Sequence, residues 1–233
     1  MIVRKNILNI LDEQKNAHRH IIGAVVGTGM TAKYAAMGGA DLLLALSAGK
    51  CRSMGQGSYA SYYCYWNSNN VIMEIGRREI LPIIKNIPVL FGLFASDPFI
   101  NLYDYIKEIK QAGFSGIVNY PTIALIDGKF REALEEEGNT FEKEVEAVKL
   151  AHYMDMFTLA FVTDQDQAKK MMIAGADIIC LHLGLTKGGF LGAKKYISID
   201  EARKIASKVF KTCDKLNPSI TKMIYSGPAN TPL

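Results

Sequence analysis

The sequence lacks the marks of several large protein classes. Its four cysteines, Cys51, Cys64, Cys180 and Cys213, form no C-x-x-C pair, so their spacing supports neither a zinc site nor a redox pair. Cys180 and Cys213 fall in apolar patterns, where cysteine serves as a small buried hydrophobe. All four read as reduced thiols of a cytoplasmic protein. No apolar run reaches the roughly 18 residues that a membrane-spanning helix needs. Arg4 and Lys5 are not followed by an apolar stretch of the secretory kind. The net charge of +4 comes from scattered residues, without a Lys/Arg run, which excludes a basic surface for nucleic acid or membrane. Paired carboxylates, a Ser-His-Asp pattern and His/Cys metal spacing are all missing.

What is present is an alternation. Short apolar runs occur at Ile21–Val26, Leu42–Leu46, Val89–Phe94, Gly116–Asn119, Phe157–Val162, Ile178–Leu183 and Met223–Tyr225. They are near-continuous rather than alternating in polarity, as strands buried on both faces are. Amphipathic segments with helix-start signals lie between them. Asp97-Pro98 predicts a capped helix carrying Leu102, Tyr105, Ile106 and Ile109 on one face. Asn139 with Glu142, Asp164 with Gln167, and Ser198 with Glu201 predict three more starts. A helix ending in glycine, a tight turn and a buried strand recur at Gly38-Gly39-Ala40-Asp41 and at Gly175-Ala176-Asp177. The expectation is an α/β chain of the (βα)8 TIM-barrel type. A single domain over residues 1–233 would stop after its seventh strand. Its active site would lie where the strands' C-terminal ends converge.

Two long strand exits, Ser47–Asn70 and Pro121–Asn139, read as functional loops on that rim. The first holds Gly49, Lys50, Arg52, Gly55, Gly57 and Ser58, a set of flexible glycines, cations and hydroxyls suited to carboxylate or phosphate. Thr186, Gly188 and Gly189, after the sixth strand, form a similar donor loop. His182, near the end of that strand, faces the barrel interior if Ile178 and Cys180 do, and is then a candidate general acid or base. His18, His20 and His152 read as surface residues. Asp97 suits either a helix cap or a water-mediated Mg2+ contact. Asn119 and Thr122 are candidate orienting groups. Gly27-Thr28-Gly29-Met30-Thr31-Ala32 fits a loose dinucleotide fingerprint. The next strand, however, ends without the ribose-binding acid, so its glycines read as a tight turn near the rim. Lys50, Arg52, Lys129, Arg131 and Lys187 outnumber Asp97, Asp127 and Asp164 on the expected rim, which favours a small anionic ligand.

Several stretches carry a resemblance: GKCRSMGQGSYA, NNVIMEIGRREILP, VLFGLFASDPF, GFSGIVNYPTIALIDGKFREALEEEG, AGADIICLHLGLTKGGFLGAK and YSGPANTP. In order, over nearly the whole chain, they resemble the TIM-barrel family called phosphoenolpyruvate hydrolase-like, which also resembles the C-terminal barrel of a plant tobamovirus-resistance protein. The resemblance implies a barrel grouped with phosphoenolpyruvate/pyruvate enzymes, many of which bind a 2-oxo acid or its enol phosphate beside Mg2+. It makes Ser47 and Gly49 the turn that grips such an acid, and Asp97 the carboxylate near the metal. It implies a hydrolase or lyase cleaving a P–O or C–C bond, or alternatively a non-catalytic anion-binding or signalling module. Members of the family continue for an eighth strand, so the expectation is also an open barrel that pairs with itself as a homo-oligomer.

Overall fold

The computed structural model describes residues 1–228. Residues 229–233, which include the end of the YSGPANTP stretch, lie outside the described residues. Seven parallel strands form one sheet in sequential order: β1 (Gly23–Val26), β2 (Leu42–Ala45), β3 (Val89–Leu93), β4 (Gly116–Asn119), β5 (Phe157–Val162), β6 (Ile178–His182) and β7 (Thr221–Tyr225). Every neighbouring pair is parallel. This is the expected TIM-type α/β order. Strands β2 to β6 are buried along their whole length, whereas β1 and β7, the two edges, are largely half-buried.

The alternation of side chains along each strand sorts the core into two layers. In β2, Leu42 and Leu44 join the interior cluster, while Leu43 and Ala45 pack outward against helices. In β6, Ile178 and Cys180 point inward, and Ile179 and Leu181 outward. His182 therefore follows Cys180 into the interior, at the strand's C-terminal end. The opposite end of the barrel is sealed by α1 (Arg4–Asn16), whose Ile7 and Leu11 enter the same interior cluster. Arg4 ties that helix down, donating from Nε and Nη2 to Asp177 Oδ1 at 3.0 and 2.6 Å.

The outer layer comprises α2 (Gly29–Met37), α3 (Ser47–Ser53), α4 (Ser68–Ile75), α5 (Leu102–Ala112), α6 (Gly128–Glu136), α7 (Phe141–Tyr153), α8 (Gln165–Ile173) and α9 (Ile199–Leu216). Asp164 and Ser198 cap α8 and α9 as expected, accepting from Gln167 N at 2.8 Å and Glu201 N at 3.1 Å. Two other caps differ. Helix α5 starts later than Asp97-Pro98 predicts and is capped by Asn101. Asp97 is instead occupied by Asn67 and Asn69, a contact from another element that local sequence does not announce. Helix α7 is preceded by Thr140 rather than Asn139, with no side-chain cap.

The two long loops also differ from expectation. Ser47–Asn70 folds into α3, a 3-10 turn over Ser58–Tyr62 and the start of α4. Pro121–Asn139 folds into a 3-10 turn over Ile123–Leu125 and α6. Ser47, Gly49, Cys51 and Ser53 give α3 little helix propensity, and packing against the β1 exit supplies the rest. The contact is close: a Cβ on Gly27 would lie 2.0 Å from the carbonyl carbon of Gly49.

Candidate functional site

A cavity of about 590 Å3 opens at the C-terminal ends of the strands. Its walls come from Val25 on β1, Ala48 and Arg52 on α3, Ser58 and Tyr59 on the 3-10 turn, Tyr120 after β4, His182 on β6 and Tyr225 on β7. The segment after β6, from Gly184 to Gly192, covers one side. That segment is pinned at its base: Lys187 N donates to Gly227 O at 2.9 Å, and Ala193 N to Thr186 O at 2.8 Å. Its reversal leaves no room for larger residues, since a Cβ on Gly192 would sit 1.5 Å from Gly188 O.

His182 is 6% exposed, and burial pushes its imidazole down to about 4, so the ring is neutral at neutral pH. The Gly184 N–H donates to its Nδ1 at 3.1 Å, which places the remaining ring proton on Nε2. The rings of Phe161 and Tyr225, with centroids 5.3 and 4.9 Å away, fix its orientation. The residue is thus a fixed neutral N–H donor at the cavity wall. Arg52 Nη1 donates to Ser58 Oγ at 2.8 Å, which aims the guanidinium along the same wall. Among the described residues it forms no ion pair. Lys50 lies 3.8 Å from Glu79, Arg131 bridges Glu135 and Lys187 sits over the Tyr196 ring, and neither these three nor Lys129 lines the cavity. Positive charge at the cavity therefore resides in Arg52, rather than being spread around the rim.

Six of the sequence candidates line the cavity: Arg52, Ser58, His182, Thr186, Gly188 and Gly189. The others do not. Ser47 is fully buried and accepts from Ser68 Oγ at 2.8 Å. Gly49 is sealed against the β1 backbone, where a Cβ would be 2.5 Å from Val26 O. Gly55 is exposed beyond the end of α3, and Gly57 precedes the 3-10 turn. The Gly27–Ala32 stretch forms a turn and a Thr28/Thr31 capping box, and Glu79 accepts from Gly29 N at 2.9 Å. A carboxylate thus occupies the place that a dinucleotide phosphate would need.

Asn119 and Thr122 meet a residue the sequence reading missed. Glu144 on α7 is 3% exposed and accepts from Asn119 Nδ2 at 2.6 Å, Thr122 Oγ1 at 2.7 Å and Ile123 N at 2.8 Å. Burial raises its carboxyl to about 7, against the pull of those three donors. Asn119 Oδ1 in turn accepts from Phe161 N at 2.7 Å. Glu144 thereby fixes the β4 exit, including Tyr120 at the cavity wall. A signal was present: Phe141, Glu144, Val148 and Ala151 share the spacing of one helix face.

A divalent metal finds a poor fit. Among the described residues no three His, Cys, Asp or Glu side chains come together. Asp97 is 5% exposed, and its two oxygens already accept from Asn67 Nδ2, Asn69 Nδ2 and Phe99 N at 2.7, 2.9 and 3.0 Å. A cation there would have to displace donors that hold the β3 exit.

The profile of the family described as phosphoenolpyruvate hydrolase-like matches residues 6–233. The chain belongs to that family. It is 37% identical over 226 residues to the ToMV susceptible protein tm-1(GCR26) of Solanum lycopersicum, and 36% identical over 229 residues to the ToMV resistance protein Tm-1(GCR237) of the same plant. The matches cover 97% and 98% of this chain but 30% of each tomato protein, so the chain spans less than a third of those relatives. It is also 38% identical over 212 residues to the putative transcriptional regulatory protein y4pA of Sinorhizobium fredii, covering 91% of this chain and 35% of that protein. Among solved structures it is similar to a phosphonopyruvate hydrolase complexed with oxalate and Mg2+, with a TM-score of 0.61 and 14% identity over 97% of this chain and 81% of that one. A 2,3-dimethylmalate lyase of the PEP mutase/isocitrate lyase superfamily gives 0.54 and 16%, with the same coverages. These structures share the family's fold. No helix of the described residues is long and apolar enough to cross a membrane.

Proposed function

We propose that this chain is a hydrolase or lyase acting on a small anionic 2-oxo or phospho carboxylic acid. The observation that carries the reading is the convergence of the Arg52 guanidinium and the neutral His182 N–H donor on one strand-end cavity. Arg52 is suited to a carboxylate or phosphate, which it grips through paired N–H groups. Thr186, Gly188 and Gly189 offer further polar contacts on the facing segment. When the bond next to a 2-oxo group breaks, the electron pair it leaves is shared with the carbonyl oxygen. A fixed neutral imidazole N–H steadies that developing enolate without donating a full proton. One water then closes the balance, its oxygen adding to the departing phosphoryl or acyl fragment and its proton passing to the carbon left behind. The structural neighbours, a phosphonopyruvate hydrolase and a 2,3-dimethylmalate lyase, support this class. Because the residues present fit a metal poorly, no step is routed through Mg2+. A cytoplasmic, self-associating protein completes the reading, supported by the free cysteines and by the two half-exposed sheet edges.

One observation favours a second reading, a non-catalytic anion-binding or signalling module. Among the described residues, His182 is held neutral and weakly basic at the cavity wall and burial pushes the Tyr59 and Tyr120 phenols up, so none of these three is set up as a base at neutral pH. Turnover and calorimetric binding of phosphoenolpyruvate, oxaloacetate and phosphonopyruvate, with wild type and Arg52→Ala, separate the two. The enzyme reading expects consumption of at least one acid and a loss of at least about thirtyfold in Arg52→Ala, from the ~2 kcal/mol floor for removing a charged partner. Binding without consumption of any acid supports the module. An Arg52→Ala variant as active as wild type refutes the proposed site.

A further inference from the structure

We infer that the ligand of this cavity carries, besides the carboxylate held by Arg52, a flat aromatic group packed against Tyr59, Tyr225 and Phe190. The inference rests on the proposed role of Arg52 and deepens it. First, the cavity is too large for the smallest acids. At about 590 Å3 it falls in the range of roughly 300–1,000 Å3 typical of drug-sized ligands, and an acid of about six to ten non-hydrogen atoms would leave most of it to water. Second, its charge is one-sided. Arg52 supplies the cation at one wall, while much of the remainder is aromatic or aliphatic, with Leu185 and Leu191 beside the rings.

Third, the rings form a connected series. Tyr59 meets Tyr62 edge-on at 5.8 Å, Tyr62 meets Tyr120 at 6.0 Å, Tyr120 meets Phe161 at 6.3 Å, and Phe161 lies 5.2 Å from Tyr225. The series holds Tyr59 and Tyr225 in place as cavity walls, so an entering ring finds prearranged edges and faces. Fourth, Phe190 lines the cavity yet is 98% exposed, on the segment pinned to the β7 exit. Both faces of its ring lack a protein partner among the described residues. An aromatic group entering the cavity would cover one of them.

The test is calorimetric titration of the full chain with pyruvate, oxaloacetate and phenylpyruvate, which share the 2-oxo carboxylate. The expected result is phenylpyruvate binding at least tenfold more tightly than pyruvate, or ~1.4 kcal/mol. Phe190→Ala should reduce that ratio to under threefold. Because Phe190 is exposed, its truncation leaves the fold intact, which an unchanged unfolding temperature verifies. Pyruvate or oxaloacetate binding as tightly as phenylpyruvate overturns the inference and leaves the Arg52 site standing. Tight phenylpyruvate binding that survives Arg52→Ala supports the aromatic subsite and overturns the proposed role of Arg52. Failure of all three acids to bind overturns both.

Discussion

Replacing Glu144 by glutamine should flatten part of the protein's pH dependence of stability. In the fold this carboxyl is raised from its ordinary value of 4.5 to about 7 by burial, so the native state holds a proton that the unfolded chain releases. The stabilising contribution is complete below about pH 4.5 and disappears as pH rises through 7. The span is 7 − 4.5, or about 2.5 pH units at ~1.4 kcal/mol each, giving an upper bound of ~3.5 kcal/mol. His182 acts in the opposite direction over nearly the same range. Its imidazole is lowered from 6.5 to about 4, so its contribution is complete above 6.5 and is lost as pH falls. Wild type alone would therefore show a muted profile, and the difference between wild type and Glu144→Gln isolates the carboxyl. Urea unfolding at pH 4.5, 6.0 and 7.5 is the assay. Between the extremes, wild type should lose up to ~3 kcal/mol relative to the variant. Superimposable profiles would show that Glu144 titrates at its ordinary value, and the account of a buried, nearly neutral anchor beneath the β4 exit would be wrong.

Three further outcomes are expected. The His182 ring nitrogens, followed by 15N NMR, should show a neutral Nε2–H tautomer from pH 7 down to about pH 5; an imidazolium at pH 6.5 would remove the electrophile role proposed for it. Gly27→Ala should lower stability by about 1–3 kcal/mol or prevent soluble expression, because its Cβ would meet the Gly49 backbone; thermal unfolding equal to wild type would show that the β1–α3 contact can yield. Ile22 and Ile224, near and on the edge strands, are 53% and 51% exposed, so sedimentation should show concentration-dependent association, and a monodisperse monomer at all concentrations would argue against the homo-oligomer.

Much of the architecture was legible because parallel strands buried on both faces leave an unbroken apolar signature. The runs at Gly116–Asn119 and Phe157–Val162 match β4 and β5 residue for residue. The inward aim of His182 followed from parity with Ile178 and Cys180. The helix caps at Asp164 and Ser198 followed from local hydrogen bonding. Where a contact reached across the chain, local reading failed. Asp97 had the sequence of a helix cap, but Asn67 and Asn69, about thirty residues earlier, captured its oxygens. Glu144 looked like one more charge on an amphipathic helix, and only the fold of the β4 exit supplied three donors to bury it.

The sequence alone determined that alternating buried strands and amphipathic helices bring their exits to one rim, because hydrophobic period and cap chemistry act within a few residues. Tertiary structure decided which rim residues share a cavity and in what state of charge. Arg52 was left to the cavity while Glu79 and Glu135 took up Lys50 and Arg131, and burial among rings made His182 a neutral donor. Charge pairing and desolvation depend on distances between segments far apart in the chain, and those distances exist only once the sheet has curled.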